Sequence, residues 1–174
     1  MNTLGALLLK SIGAGYSAMN IVGRNSKIKI LEFAPLGTQS HLLVYGPYQE
    51  IQNFISGLRT LDIERTAILK DLDEDLLKKY AGQNNSNMKE FLLIFESDFV
   101  GDLFQYAQEF SAYGLDVVDF RVQRTTRSPS YLILTGHDAN KIKTLAQDLK
   151  RENVKITYIN TLSDGLRNYL DVQK

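Results

Sequence analysis

Leu4–Phe33, LGALLLKSIGAGYSAMNIVGRNSKIKILEF, and Phe91–Phe120, FLLIFESDFVGDLFQYAQEFSAYGLDVVDF, read as the same three elements in the same order. Each opens on a short apolar run, Leu4–Leu9 or Phe91–Glu96, with the length and density of a buried strand. Each continues into a stretch with apolar residues at helical spacing. Ala14, Ala18, Ile21 and Val22 form one stripe. Val100, Leu103, Phe104, Ala107 and Phe110 form the other, with Ser97 or Asp98 placed to cap its start. Each closes on a second strand, Ile28–Phe33 or Leu115–Phe120, ending in an acid followed by Phe.

The correspondence continues outward. The third strands, His41–Tyr45 (HLLVY) and Tyr131–Thr135 (YLILT), are closed by Gly46 and Gly136, 90 positions apart. A second amphipathic helix follows, opened by Pro47 in one copy and Asp138 in the other. Its stripes, Ile51, Phe54, Ile55, Leu58 and Ile142, Leu145, Ala146, Leu149, repeat the i, i+3, i+4, i+7 spacing. TAILKDLDEDLLKKY from Thr66 and ITYINTLSDGLRNYL from Ile156 add a fourth strand and a short helix to each copy. Six elements recurring in order, at offsets of 86 to 91 residues, indicate a duplicated unit. The polar, turn-rich AGQNNSNM at Ala81–Met88 separates the copies. The expected organisation is repeat 1 over 1–82, a linker over 83–88 and repeat 2 over 89–174. The expected fold class is α+β: two tandem βαββαβ(α) units, each a four-stranded, mostly antiparallel sheet with helices on one face. Units this small have thin cores, so their sheet edges and outer faces invite packing against another copy.

Composition narrows the function. Lys plus Arg and Asp plus Glu number 20 each in 174 residues, and the balance holds in both halves. That lacks the basic surplus of a nucleic-acid binder. The absence of cysteine excludes disulfides, thiolate metal sites and cysteine nucleophiles. Leu4–Leu9 is too short for a secretory signal, follows no basic residue and ends at Lys10. No stretch reaches the ~20 apolar residues of a membrane helix. The expectation is a soluble, cytoplasmic protein that meets neither membrane nor nucleic acid.

Leu4–Phe33 resembles, without gaps, the opening strand, Ala-rich helix and second strand of the bacterial microcompartment (BMC) shell proteins. Gly37 and Gly46 fall close to that family's glycines in the β2–β3 loop and at the end of β3. LIFES at Leu93–Ser97 and SYLILTGHD at Ser130–Asp138 resemble its first and third strands in the second copy. The likeness implies a BMC-like, ferredoxin-like unit, and two units in one chain resemble the family's tandem-domain members. It therefore implies a homotrimer imitating a six-sided tile, contacts with other shell subunits, and a central pore for small metabolites. The family's tile-edge lysine is replaced by Arg24 in copy one and, by count, Ser111 in copy two. The family's segment after its last strand is also replaced, by Lys70–Asp73 and Asn160–Ser163, which marks the chain as divergent.

The same resemblance assigns the loops between strands two and three to the pore. In copy one this loop is Ala34–Ser40, with Gly37, Thr38, Gln39 and Ser40 as lining residues. In copy two it is three residues longer between its strands and contributes Arg124, Thr125, Thr126, Arg127 and Ser128. Small hydroxyl residues and glycine suit a narrow wet opening, and the arginines favour anionic metabolites. His41 and His137 occupy different places in their repeats with no second ligand in sequence, so no metal is expected. Asp73, Glu74 and Asp75 sit where a helix begins and read as capping charge. No nucleophile–base pair, P-loop or dinucleotide fingerprint occurs, so neither an enzyme nor a cofactor is expected. A second reading comes from Asp98–Phe120. It resembles the Asp-x-x-Gly-x-Leu helix start of ACT-type regulatory domains, which bind amino acids, and would place Asp98 and Gly101 beside an effector.

Overall fold

In β1 (Asn2–Leu9), Leu4, Ala6 and Leu8 project to one face and Leu7 and Leu9 to the other, and all five are buried. A strand apolar on both faces belongs in the middle of a covered sheet. β1 lies between β3 (Gln39–Pro47) and β4 (Ile63–Leu69), with β2 (Lys29–Leu36) outside β3, giving the antiparallel order β2-β3-β1-β4. α1 (Ile12–Val22) and α2 (Tyr48–Gly57) cover the Leu7, Leu9, Leu42, Val44 face. α3 (Glu74–Tyr80) crosses to the other. The computed structural model describes residues 2–81, 89–122, 129–149 and 151–172.

Repeat 2 follows the same plan. β5 (Phe91–Ser97), α4 (Val100–Ser111), β6 (Asp116–Arg121), β7 (Ser130–Gly136), α5 (Ala139–Asp148), β8 (Val154–Ile159) and α6 (Asp164–Val172) form a sheet of order β6-β7-β5-β8. Even the irregularity recurs, since β2 bulges between Ile30 and Glu32 and β6 between Val117 and Asp119. The expected fold class is the observed one.

Local chemistry sets the helix ends. Ser11 caps α1 by accepting the Ala14 amide at 3.0 Å, Asp73 caps α3 and Asp138 caps α5. The expected cap of α4 is corrected. Its N-cap is Phe99, and Ser97 ends β5, from where its hydroxyl accepts the Phe99 amide at 3.1 Å. The expected loop Ala34–Ser40 is also corrected. β2 continues through Leu36 and β3 begins at Gln39, leaving Gly37–Thr38 as a tight turn with Gly37 at φ 59°. Pro35 is accommodated because β2 is an edge strand, with β3 its one sheet neighbour.

The two repeats share one core. α4 lies across β1 and β4 of repeat 1, and α3 lies against β6 of repeat 2. Ala6, Leu43 and Leu69 on the outer face of sheet 1 join one apolar cluster with Phe95, Phe104 and Phe110. Close approach is possible because Gly101 has no side chain. A Cβ there would lie 2.5 Å from the Phe99 ring and 2.9 Å from the Ala67 Cβ.

Gly101→Ala should destabilise the folded chain by about 1–3 kcal/mol, since overpacking outweighs the gain in helix propensity. Gly13→Ala, at the equivalent position in α1 where a Cβ meets nothing closer than 3.9 Å, should leave the stability of a single chain unchanged or slightly raised. Urea unfolding of both variants measures the contrast.

Candidate functional site

The seam between the repeats holds the most deeply buried charge among the described residues. Asp102, on α4, is 5% exposed. It accepts two hydrogen bonds from the Arg65 guanidinium on β4, at 2.7 and 2.9 Å, and one from the Ser97 hydroxyl at 2.8 Å. Arg65 also stacks 4.6 Å over the Phe99 ring. A planar fork facing a carboxylate is the geometry in which a buried pair offsets its desolvation. Around it, the Gln108 amide donates to the Lys70 carbonyl, and Tyr80 contacts Phe104 and Phe120 at 5.1 and 5.2 Å. Tyr80 also hydrogen-bonds Glu32 across to β2. Sequence reasoning does not single out Arg65 or Asp102. The one signal is an acid set beside Gly101 within the apolar stripe of α4.

The register makes the seam comparable with the rest of the surface. Thr3 faces Gly46 and Phe91 faces Gly136, so Gly13 is equivalent to Gly101, Ala14 to Asp102 and Tyr16 to Phe104. Likewise Ala6, Leu43 and Leu69 are equivalent to Ile94, Ile133 and Ile159. The first three are buried beneath α4, whereas the second three are only partly buried, packed with Leu92, Val118, Leu162 and Leu166. On α1, Gly13, Ser17 and Asn20 are open to solvent and Tyr16 is 60% exposed, whereas Phe104 is fully buried. Ile30 and Leu31 on β2 are 38% exposed, against 5% for their β6 counterparts Val117 and Val118. Repeat 1 thus presents an uncovered helix face and edge strand, and repeat 2 a sheet face that Leu162 and Leu166 of its own terminal segment cover only in part.

The expected pore residues fare differently. Gly37 and Thr38 form the β2–β3 turn. Gln39 is half-buried and its side chain reaches the Glu64 carboxylate. Ser40 is fully buried and donates to the Ser11 carbonyl at 3.0 Å, so it belongs to the packing of α1 and does not line an opening. Arg124, Thr125, Thr126, Arg127 and Ser128 lie outside the described residues. Arg24 is exposed just beyond the end of α1. Counting forward from β1 and β5 makes Ala112 its counterpart in copy two, and counting back from β2 and β6 makes it Ser111.

The remaining candidates resolve into structural roles. Asp73, Glu74 and Asp75 open α3, with Lys78 pairing Asp75 at 3.0 Å. His137 is exposed and lies 3.3 Å from Glu90. No group of three or more potential metal-ligating side chains occurs among the described residues. A groove of about 630 Å³ between β2 and α3 is lined by Leu31–Pro35 and by Leu77, Tyr80 and Ala81; its one carboxylate, Glu32, is engaged by Tyr80. Asp98 is exposed, and the space beside Gly101 is filled by Phe99 and Ala67. The space beside Gly101 that the ACT-like reading gives to an effector is therefore occupied by Phe99 together with Ala67 of repeat 1. Among the described residues, no helix is long and apolar enough to cross a membrane.

Comparison with known proteins gives a fold-level match. The chain is similar in structure to a microcompartments protein from Desulfitobacterium hafniense DCB, with a TM-score of 0.79 and 20% identity over 97% of this chain and 99% of that one. The fold is thus that of a microcompartment protein over nearly its whole length. The small subunit of acetolactate synthase from Thermotoga maritima aligns at a TM-score of only 0.31, with 16% identity over 93% of this chain and 95% of that one. No protein-family model and no curated protein matches the chain.

His41 is the polar oddity of the seam. It is 1% exposed, meets the Phe99 ring edge-on at 6.4 Å, and neither ring nitrogen has a hydrogen-bond partner of good geometry. Burial pushes its pKa from 6.5 down to about 4, outweighing the backbone and charge of Asp98, which favour the protonated form. The unfolded chain therefore binds a proton at a higher pH than the folded chain. The associated stability is complete above about pH 6.5 and is lost as pH falls towards 4, on the order of 3 kcal/mol in all. Replacing His41 by Leu should remove this part of the acid dependence and leave stability at neutral pH equal or higher, because an unpaired polar group is removed. Denaturant midpoints measured from pH 4 to 8 for both proteins test it.

Proposed function

We propose that this protein is a structural, self-assembling subunit of the microcompartment-shell type, in which three chains close a ring of six alternating repeats around a pore for small metabolites. One observation carries the reading: repeat 2 seats α4 on the outer face of sheet 1, while the equivalent helix face of repeat 1 is open and the equivalent sheet face of repeat 2 is covered only in part, by Leu162 and, on α6, Leu166. Placing α1 of one chain on sheet 2 of the next would repeat the seam already present within the chain. Gly13 would approach Thr157 as Gly101 approaches Ala67, and Tyr16 would gain the cover that Phe104 has. The contact is heterologous, and a closed ring removes the exposed surfaces that an open chain of such contacts would retain. The role is assembly without catalysis, inside the cell. Arg24, exposed beyond α1, would meet other shell subunits in this assembly.

Light scattering from micromolar to near-millimolar concentration should give a trimer mass, and a monomer throughout rejects the proposal. Ile94→Asp, on the outer face of sheet 2, should convert the trimer to a monomer that is still folded by circular dichroism, though less stable because Ile94 also packs with Leu92 and Leu162. The pore is tested separately. In the proposed ring, three copies of Arg127 converge near the axis, where like charges call for an anion or solvent between them. Sulfate or phosphate should bind by calorimetry, and Arg127→Ala should abolish that binding with mass and fold unchanged. Equal binding by wild type and variant removes the pore assignment but leaves the trimer standing.

A further inference from the structure

The two seams are equivalent in shape but not in charge. Within the chain, Asp102 on α4 meets Arg65 on β4. At the equivalent places, α1 carries Ala14 and β8 carries Lys155, which is bound to Glu96 of β5 at 3.0 Å. Glu96 in turn stands where sheet 1 has the buried Leu8. We infer that the Arg65–Asp102 pair decides which helix sits on which sheet, and so enforces strict alternation of repeat 1 and repeat 2 in any assembly.

Seating α4 on sheet 2 would bring Asp102 against Glu96, with one lysine for two carboxylates. Seating α1 on sheet 1 would set Ala14 against Arg65 and strip the guanidinium of its acid. Both wrong arrangements leave a covered charge without its partner, which costs far more than a correct pair contributes. The right arrangements, α4 on sheet 1 and α1 on sheet 2, satisfy every charge. The linker alone does not impose this selection, because tethering raises only the local concentration of the partner repeat, to the millimolar range for a short connection. Discrimination comes from the mismatch itself, as it does wherever a polar pair selects among otherwise similar apolar contacts. Ser97 reinforces the choice by fixing the Asp102 carboxylate from within repeat 2. The consequence is a partner rule: a second copy is accepted at the uncovered faces only through its opposite repeat.

The inference rests on the proposed assembly for its contacts between chains but not for the seam within one. Its test uses five full-length proteins: wild type, Arg65→Asp, Asp102→Arg, the double reversal, and the apolar double variant Arg65→Leu/Asp102→Leu. Thermal unfolding and native mass spectrometry are the readouts. Each single reversal should lower the midpoint by roughly 10 °C, and the double reversal should restore both the midpoint and the single wild-type mass. The apolar variant should fold at least as stably as wild type yet give several oligomer masses, since either helix then suits either sheet. A single wild-type mass from a folded apolar variant overturns the inference. So does a double reversal no better than its parents, which decides the matter if the apolar variant does not fold. A monomeric wild type defeats the assembly reading alone, because the same comparison of apolar and wild-type masses still reads the selection.

Discussion

The outer face of sheet 1 carries Ala6, Leu43 and Leu69, and no helix of repeat 1 other than the short α3 reaches it. A four-stranded sheet with two helices on one side leaves such a face to water, and water is the costliest neighbour for it. α4 solves this by serving two cores at once. Phe110 and Tyr106 face Phe95 in repeat 2, while Gly101 and Phe104 face repeat 1. The helix is therefore buried around most of its circumference, unlike α1, whose outward side is open. The alignment of the repeats, the burial of His41 and the position of the Arg65–Asp102 pair all follow from that placement. Gly101 sets the distance at which it happens.

Sharing a core removes the independence of the units. Within one cluster, Leu72 and, on α3, Leu76 join repeat 1 residues such as Leu4 and repeat 2 residues such as Phe120. The polar groups in this region divide sharply. Asp102 receives three hydrogen bonds, so its burial is compensated. His41 receives none of good geometry and is tolerated only in its neutral form. One group gives the seam direction and the other makes it sensitive to acid, and Phe99 touches both regions, with Arg65 stacked over its ring and His41 edge-on to it.

Much of this was legible in the sequence. Apolar spacing and the paired glycines Gly46 and Gly136 located every element, and the acidic run Asp73–Asp75 was correctly read as a helix start. Strand ends were less visible. The loop between the second and third strands was set at Ala34–Ser40, but an edge strand has no neighbour on one side and accepts Pro35, so β2 extends and Ser40 becomes core. The cap of α4 was misplaced because Ser97 serves the Phe99 amide and Asp102 together instead of capping in the ordinary way. Arg65 and Asp102 lay beyond reach for a different reason. They are 37 positions apart, and their meeting depends on how two finished units dock. Periodicity describes each unit and is silent about docking.

The difference between α4 and α1 is then the informative residue of the comparison between repeats. Where a helix is permanently seated, its stripe widens, acquires Phe104 and Phe110, and tolerates a buried acid because the partner is always present. Where a helix waits for another molecule, a buried acid would stand uncompensated in the free chain, and a continuous apolar face would associate with any similar surface. α1 shows the pattern that such a helix requires: Gly13, Ser17 and Asn20 keep it wettable, and Tyr16, resting on Phe33 at 4.9 Å, supplies apolar area with a polar tip. The same logic applies to the sheet face, where Ile94, Ile133 and Ile159 are bordered by the Glu96–Lys155 pair, while its counterpart under α4 places Leu8 beside Arg65. On the proposed assembly, the repeats have diverged at the positions where one contact is made once during folding and the other is made between separate chains.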